Sequence, residues 1–208
     1  MGRIRIAGKL VHTGTHWCNV LAWVCTAQYI THIELGFYRL CNENCPYGCK
    51  RNTKFHWVYY TAVIDLSKKR PAVRRSIKRD HEEDAKKWVV MEMECEFSDE
   101  AEAFLIRQLN SAYDMSRFRT LPLRKFLTFE PVFSPDYEQK SYPVEDRSEW
   151  ICSELIANAL LVGGLLSPKD SPVGVLTSED IIDRLRLKYG KFEGRFQLKC
   201  LVSEDLSL

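Results

Sequence analysis

The sequence predicts a mixed α+β fold in a single domain that spans residues 1–208. Segments rich in β-branched and aromatic residues dominate the first half of the chain, and helical periodicity appears only from Ser98 onward. No internal repeat, low-complexity stretch or linker divides the chain. Strands followed by helices are typical of an antiparallel sheet with helices packed on it.

The predicted strands are bounded by turn-forming residues. Two of them, "THIELGFYRL" and "FHWVYYTAVIDL", flank the loop "CNENCPYGCKRNTK" and form a long hairpin-like unit over residues 31–66. A basic connector, "KKRPAVRRSIKRD", follows, and its proline argues against an uninterrupted helix. Further strands are expected at the alternating N-terminal segment "RIRIAGKL", at residues 88–95 and at residues 194–202.

Three helices are predicted after these strands. The first starts at Ser98 as its N-cap, has acidic residues in its first turn, and presents Phe104 and Leu109 in a partial apolar stripe with Ala103 and Ile106. The second lies within residues 148–164, where apolar positions recur at helical spacing and a Gly-Gly pair ends the run. The third follows "TSED" at residues 177–180, in which Thr or Ser can cap the helix.

Composition excludes few partners. The 208 residues are 45% hydrophobic and 28% charged, with a net charge of +2, so the charge of the whole chain implies no particular partner. The most apolar window, residues 20–30, is too short to span a membrane, although peripheral membrane contact is compatible with the sequence. The N-terminus has neither a secretory signal core nor, with Ile6, a myristoylation signal. We therefore expect a soluble, cytoplasmic protein with reduced cysteines.

Cys152 is the first candidate functional residue. Taken alone, a cysteine in an apolar helix is most simply a buried structural thiol. A position in the first turn of a helix, however, lowers the pKa of a thiol, because unpaired backbone amides stabilise the thiolate. Nucleophilic chemistry also requires a base, usually a histidine, within hydrogen-bond reach.

His32 is the best placed of the five histidines to be that base. It begins the predicted strand "HIELGFY", and the two-residue period of a strand puts His32, Glu34 and Gly36 on one face. Glu34 can therefore orient or charge the imidazole. A purely structural His–Glu pair is the alternative interpretation.

The order of these motifs resembles that of a known family. "THIEL", then "AYD" at residues 112–114, then "WICSELI" and "LTSEDI" occur in this order. The series is similar to the circularly permuted papain-like hydrolases of the NlpC superfamily, which include YiiX-type bacterial proteins, poxviral relatives and, more distantly, lecithin:retinol acyltransferase. The resemblance covers roughly residues 8–185.

The resemblance implies a permuted papain-like fold, a nucleophilic thiol at Cys152 and a general base at His32. The family usually places a third polar residue near the end of the strand after the histidine, where this chain offers Thr61 and Asp65. We assign the third role to Glu34, which shares a face with His32, and keep the other two as alternatives. Tyr113 and Asp114 are expected to shape the cleft without a catalytic role.

Two other clusters were considered. Cys41, Cys45 and Cys49, with His56 further on, can form a zinc site, but the spacing is not that of the usual knuckle. We favour unpaired loop thiols over zinc or a disulfide, and expect no cofactor. The basic connector lacks interleaved aromatic residues and is followed by "DHEEDAKK", which favours a solvated segment over a nucleic-acid site.

The sequence thus predicts a cysteine-dependent hydrolase or acyltransferase that works through a thioester. A peptide or isopeptide is the preferred substrate and a lipid ester the second choice. The alternative function is a catalytically silent interaction protein of the same fold, for example a viral component.

Overall fold

The architecture is described from a computed structural model, over residues 2–10, 30–40, 55–63, 72–77, 88–114, 148–167 and 177–189. Within these ranges the chain forms seven strands and three helices. The strands are β1 (Gly2–Leu10), β2 (Ile30–Leu40), β3 (Phe55–Val63), β4 (Ala72–Ile77), β5 (Trp88–Cys95), β6 (Ala112–Tyr113) and β7 (Glu149–Trp150). The helices are α1 (Ser98–Arg107), α2 (Cys152–Val162) and α3 (Ser178–Tyr189).

All seven strands belong to one sheet in the order β5-β1-β2-β3-β4-β6-β7. Neighbouring strands are antiparallel except for the last pair, β6 and β7, which is parallel. The mixed α+β class predicted from the sequence is therefore confirmed, as is the pairing of β2 with β3.

The core lies between one face of this sheet and the helices. Along β2 the side chains of Ile33, Leu35 and Phe37 are completely buried, as the strand period predicts for one face. Helix α2 is buried along most of its length and packs on β2 and β3, while α1 packs against α2. Such continuous burial explains why α2 has an apolar sequence nearly all round.

Helix α3 approaches the sheet closely at Gly8 of β1. A Cβ atom at Gly8 would lie 2.5 Å from the Cδ1 atom of Ile182 and 2.9 Å from Cγ2 of Ile30. A larger residue at this position would force the side chains of Ile182 and Ile30 to shift, and Ile182 is itself buried. The contact fixes α3 against the strand pair that carries the candidate histidine.

Three local predictions were wrong. The segment 67–79 contains strand β4, which pairs with β3, because Val73 inserts into the core while the flanking arginines remain outside it. At the start of α1 the N-cap is Phe97 and not Ser98, and no side chain caps this helix. Helix α1 buries Ala101, Phe104 and Leu105, whereas Ile106 is exposed, so the apolar stripe is shifted from the predicted one.

The cap of α3 is as predicted. The backbone amide of Asp180 donates to the hydroxyl of Thr177, and the amide and hydroxyl of Thr177 both donate to the Asp180 carboxylate. This reciprocal arrangement is a capping box. The predicted strand at residues 194–202 and the irregular segment 116–147 lie outside the described residues. No helix in the described ranges is long and apolar enough to cross a membrane.

Candidate active site around Cys152

Cys152 is the first residue of α2, and a short two-strand element leads into it. Strand β7 ends at Trp150, whose carbonyl accepts a hydrogen bond from the Asp114 amide at 3.1 Å. The Trp150 ring is completely buried, and its indole N–H donates to Oε1 of Gln108 at 3.0 Å. The "AYD" segment thus contributes backbone pairing that fixes the entry to α2. That Tyr113 and Asp114 shape the cleft stays a prediction.

Cys152 lies at the N-terminus of α2, and no side chain caps this end of the helix. The N-cap residue is Ile151, in an extended conformation, and its side chain has no hydrogen-bond acceptor. The first intrahelical bond runs from the Leu155 amide to the Ile151 carbonyl at 3.1 Å. The amides of Cys152 and Ser153 belong to the first turn, whose N–H groups have no acceptor within the helix, and this favours negative charge at the position of the thiol.

His32 reaches this thiol from β2. A side-chain hydrogen bond joins His32 to Cys152, although 120 positions separate them along the chain. The Nε2 atom of His32 lies 3.3 Å from Oε1 of Glu34 and 3.3 Å from Oγ1 of Thr61. Because Nε2 faces these two oxygens, Nδ1 is the ring nitrogen left for the thiol.

Thr61 helps to determine which nitrogen of the imidazole carries a proton. Its hydroxyl donates to the carbonyl of Ile33 at 2.9 Å, so its oxygen is an acceptor toward the ring. A carboxylate at Glu34 is likewise an acceptor only. Both neighbours therefore require a proton on Nε2 of His32.

The site lies where strands β2 and β3 separate. Their pairing extends from Leu40–Phe55 to Leu35–Tyr60. Beyond Leu35, the Thr61 side chain bonds to the Ile33 carbonyl, and the Ile33 backbone bonds to the Cys152 sulfur. The first turn of α2 thus contacts the β2 backbone where β3 has left it.

Burial and charge are distributed unevenly over the cluster. The Cys152 residue is 8% exposed, and the side chains of His32 and Glu34 are 16% and 1% exposed. A carboxylate as buried as that of Glu34 needs a positive partner, since removing a lone charge from water is strongly unfavourable. An imidazolium at His32 supplies that charge.

The pKa values of the thiol and the imidazole are displaced in opposite directions. Burial alone would lower the pKa of His32, but hydrogen bonds to Cys152 and Glu34, with their negative charges, outweigh burial and raise it to about 9. Burial alone would raise the pKa of Cys152, but the hydrogen bond and charge of His32 hold it below its ordinary value, helped by bonds from the Ile33 backbone and the Ser178 side chain. At neutral pH this arrangement favours a thiolate–imidazolium pair.

Ser178 is a member of the site that the sequence did not reveal. It is the first residue of α3, it is 6% exposed, and its side chain hydrogen-bonds to Cys152. The sequence identified residues 177–180 only as a helix cap. Nothing in the local pattern indicated that the cap of α3 would lie beside the start of α2, because that proximity depends on how both helices pack on β2.

The predicted site residues fall into two groups: those that the structure brings together, and those that lie outside the described residues. Cys152, His32, Glu34 and Thr61 are brought together, whereas Asp65 lies outside the described residues. The same holds for Cys41, Cys45 and Cys49 of the suggested zinc loop, although His56 is described on β3. In the described ranges, no group of three side chains is arranged to hold a metal ion.

Cys95 provides a contrasting thiol. It is completely buried in β5, and its Sγ donates to the Gly163 carbonyl at 3.3 Å. Burial raises the pKa of this thiol, against the effect of a backbone hydrogen bond from Phe97. The pKa values of the two described cysteines are thus displaced in opposite directions, and of these two only Cys152 has a histidine partner.

Comparisons with protein-family models, with curated proteins and with solved structures found no match for the chain.

Proposed function

We propose that this protein is a cysteine-dependent hydrolase or acyltransferase that attacks amide or ester carbonyls through Cys152. The observation that supports this most strongly is the hydrogen-bonded pair of a thiol with lowered pKa and a histidine with raised pKa, at the start of a helix. Perturbed pKa values of this kind match the needs of nucleophilic catalysis. The circularly permuted papain-like fold suggested by the motif order is part of the same proposal.

In the acylation step, the thiolate of Cys152 attacks the carbonyl carbon. A C–S bond forms, and the electron pair of the C=O bond moves to oxygen. In this proposal, first-turn amides of α2, including that of Cys152 itself, donate hydrogen bonds to that oxyanion. Its collapse breaks the bond to the leaving nitrogen or oxygen, which takes the proton from His32. The products are a thioester on Cys152, a neutral imidazole and a free amine or alcohol.

In the deacylation step, neutral His32 removes a proton from water, or from an acceptor amine or alcohol. The activated acceptor attacks the thioester carbonyl, and the C–S bond breaks. The proton on His32 and the released thiolate restore the original ion pair. Water gives hydrolysis, and another acceptor gives acyl transfer.

Glu34 and Thr61 act as positioning residues for His32. Their oxygens, each 3.3 Å from Nε2, hold the ring so that its other nitrogen is directed at the thiol. The Glu34 carboxylate also stabilises the imidazolium, as the acidic member of a catalytic triad does. This is the third-residue role proposed for Glu34, with Thr61 as a neutral contributor.

A peptide or isopeptide amide is the preferred substrate, and a lipid ester is the second choice. An imidazolium already in contact with the thiolate is suited to protonating an amine leaving group, the more demanding requirement of amide cleavage.

Alkylation with iodoacetamide at neutral pH, followed by peptide mass mapping, tests the reactive pair. We expect Cys152 to be alkylated faster than Cys95 and the other thiols, and His32→Ala to remove this preference. A panel of peptide and ester substrates, with Cys152→Ser as the inactive control, then gives the scissile bond from the trapped acyl adduct. Ordinary reactivity at Cys152 would instead favour the catalytically silent alternative.

A further inference from the structure

A tryptophan and a lysine extend the site along the sheet. In β1, Lys9 is directly opposite His32 of β2 on one side and Trp88 of β5 on the other. Directly opposite residues of an antiparallel sheet have their side chains on the same face. The rings of His32 and Trp88 meet edge to face, with centroids 6.3 Å apart. Lys9 and Trp88 are therefore immediate neighbours of the proposed base.

Lys9 is a cation without an acidic partner in the described part of the chain. Its Nζ atom lies 5.9 Å from the centroid of the Trp88 ring, and its side chain is half-buried. By contrast, Arg3 on the same strand pairs with Glu92 at 2.7 Å, and Arg39 on β2 pairs with Glu102 at 2.6 Å. Among the described residues, Lys9 is thus a positive charge of β1 with no ion-pair partner, and it lies beside His32, which bonds to the reacting thiol.

This pairing of charge and ring matches a specific kind of ligand. The ammonium of Lys9 can donate three hydrogen bonds to an oxyanion. The half-exposed indole of Trp88 offers an apolar surface beside it. The Glu34 carboxylate is 1% exposed and in contact with the imidazolium, whereas the ammonium of Lys9 is only half-buried and can be reached by an anionic group of a substrate.

We propose that Lys9 and Trp88 form a substrate subsite that binds an anionic group, a carboxylate or a phosphate, close to the attacked carbonyl, with an apolar part of the substrate on the indole. The inference deepens the proposed function and rests on it for the identity of the attacked group. It restricts the substrates to acyl compounds with an anion next to the scissile bond. The charged end of a peptide and a phosphate ester both have this chemistry.

Two alkylating reagents that differ in charge test the subsite at Cys152 itself. Iodoacetate and iodoacetamide both form a C–S bond with the thiolate and release iodide, but only iodoacetate carries an anion. We expect the ratio of their rates at Cys152, iodoacetate over iodoacetamide, to fall about three- to tenfold in Lys9→Gln. Lys9→Arg should retain the ratio, because it keeps the charge.

Arg3→Gln is the matched control, because it removes one positive charge from the same strand. Six residues of an extended strand place Arg3 about 20 Å from Lys9 along β1, so the ratio should not change. An unchanged ratio in Lys9→Gln, or an equal fall in Arg3→Gln, would overturn the proposal. Because the ratio compares two reagents at one thiol, it is independent of whether any substrate is turned over.

A binding measurement tests the subsite even if Cys152 is unreactive. The indole ¹⁵N–¹H signal of Trp88, assigned with Trp88→Phe, would be followed while N-acetylphenylalanine, phenyl phosphate or N-acetylphenylalanine amide is added. We expect saturable shifts with the carboxylate or the phosphate, none with the amide, and at least a threefold loss of affinity in Lys9→Gln. The anion that binds more tightly identifies the source of the charge. Equal binding of the neutral amide, or no binding of either anion, would refute the subsite and leave the proposed function to its own test.

Discussion

Replacing Glu34 by glutamine is the sharpest test of how the site is charged. The substitution keeps the size of the buried side chain and removes its negative charge 3.3 Å from Nε2 of His32. The rise in the pKa of His32 from 6.5 to about 9 corresponds to about 3 kcal/mol in favour of the imidazolium. A charge pair at this distance interacts by about 5 kcal/mol at an effective dielectric constant of about 20. Glu34 is therefore strong enough to offset much of the opposing effect of burial.

Cys152 remains in the Glu34→Gln variant and continues to raise the pKa of His32. We therefore expect this pKa to fall by about one to two pH units, not to return fully to the value of an isolated histidine. Because the two titrations are coupled, the pKa of Cys152 should rise at the same time. Alkylation of Cys152 at neutral pH should become about tenfold slower.

Long-range ¹H–¹⁵N NMR of the imidazole rings over a pH titration measures the effect directly. The chain has five histidines, and the His32 signals are assigned by their loss in His32→Gln. Thr61→Val is the matched control: it removes the neutral oxygen 3.3 Å from the same nitrogen and should change the pKa by less than about half a pH unit. The reasoning is refuted if wild-type His32 titrates near 6.5, or if Glu34→Gln leaves its pKa unchanged.

Three further predictions concern the thiol and its supports. The rate of the proposed reaction should follow a bell-shaped pH curve. The rate falls on the acid side because Cys152 is protonated below its lowered pKa, and it falls on the alkaline side near pH 9 because His32 loses its proton. A single rise of the rate near pH 8.5 to 9 would contradict the ion pair. Ser178→Ala should raise the pKa of Cys152, read from the pH dependence of its alkylation, while Ser178→Thr should restore it; equal effects of the two variants would indicate a packing role instead. Thr177→Ala should lower the free energy of unfolding by about 1 kcal/mol in urea denaturation, because the Asp180 amide loses its cap, and an unchanged midpoint would show that the capping box contributes nothing.

Much of the local structure follows from the sequence. The alternation in "HIELGFY" identifies the apolar face of β2, and the same alternation places His32 and Glu34 together on the other face. The apolar run after Cys152 identifies α2, and "TSED" identifies the cap of α3. These features depend on residues a few positions apart, whose geometry is set by the helical or extended backbone alone.

Local pattern misled where packing decided the outcome. The lysines and arginines around β4 made it resemble a connector, yet Val73 and the edge of β3 make this segment a strand. In α1 the acidic first turn suggested Ser98 as the N-cap, but Ser98 is the first helical residue and the N-cap position falls on Phe97. Propensities are weak there, and tertiary contacts override them.

The sequence alone determined the composition of the reactive pair: a thiol in the first turn of an apolar helix, and a histidine with a carboxylate on one face of a strand. Only the tertiary structure decided that the thiol and the histidine meet, because that contact requires β3 to leave β2 at Leu35 and α2 to start at the gap. It also decided that the Ser178 side chain hydrogen-bonds to the Cys152 sulfur, and that Lys9 and Trp88 lie beside the imidazole of His32. The physical reason is distance along the chain: no short-range period relates residue 32 to residue 152, so their encounter is a property of the packed sheet and helices.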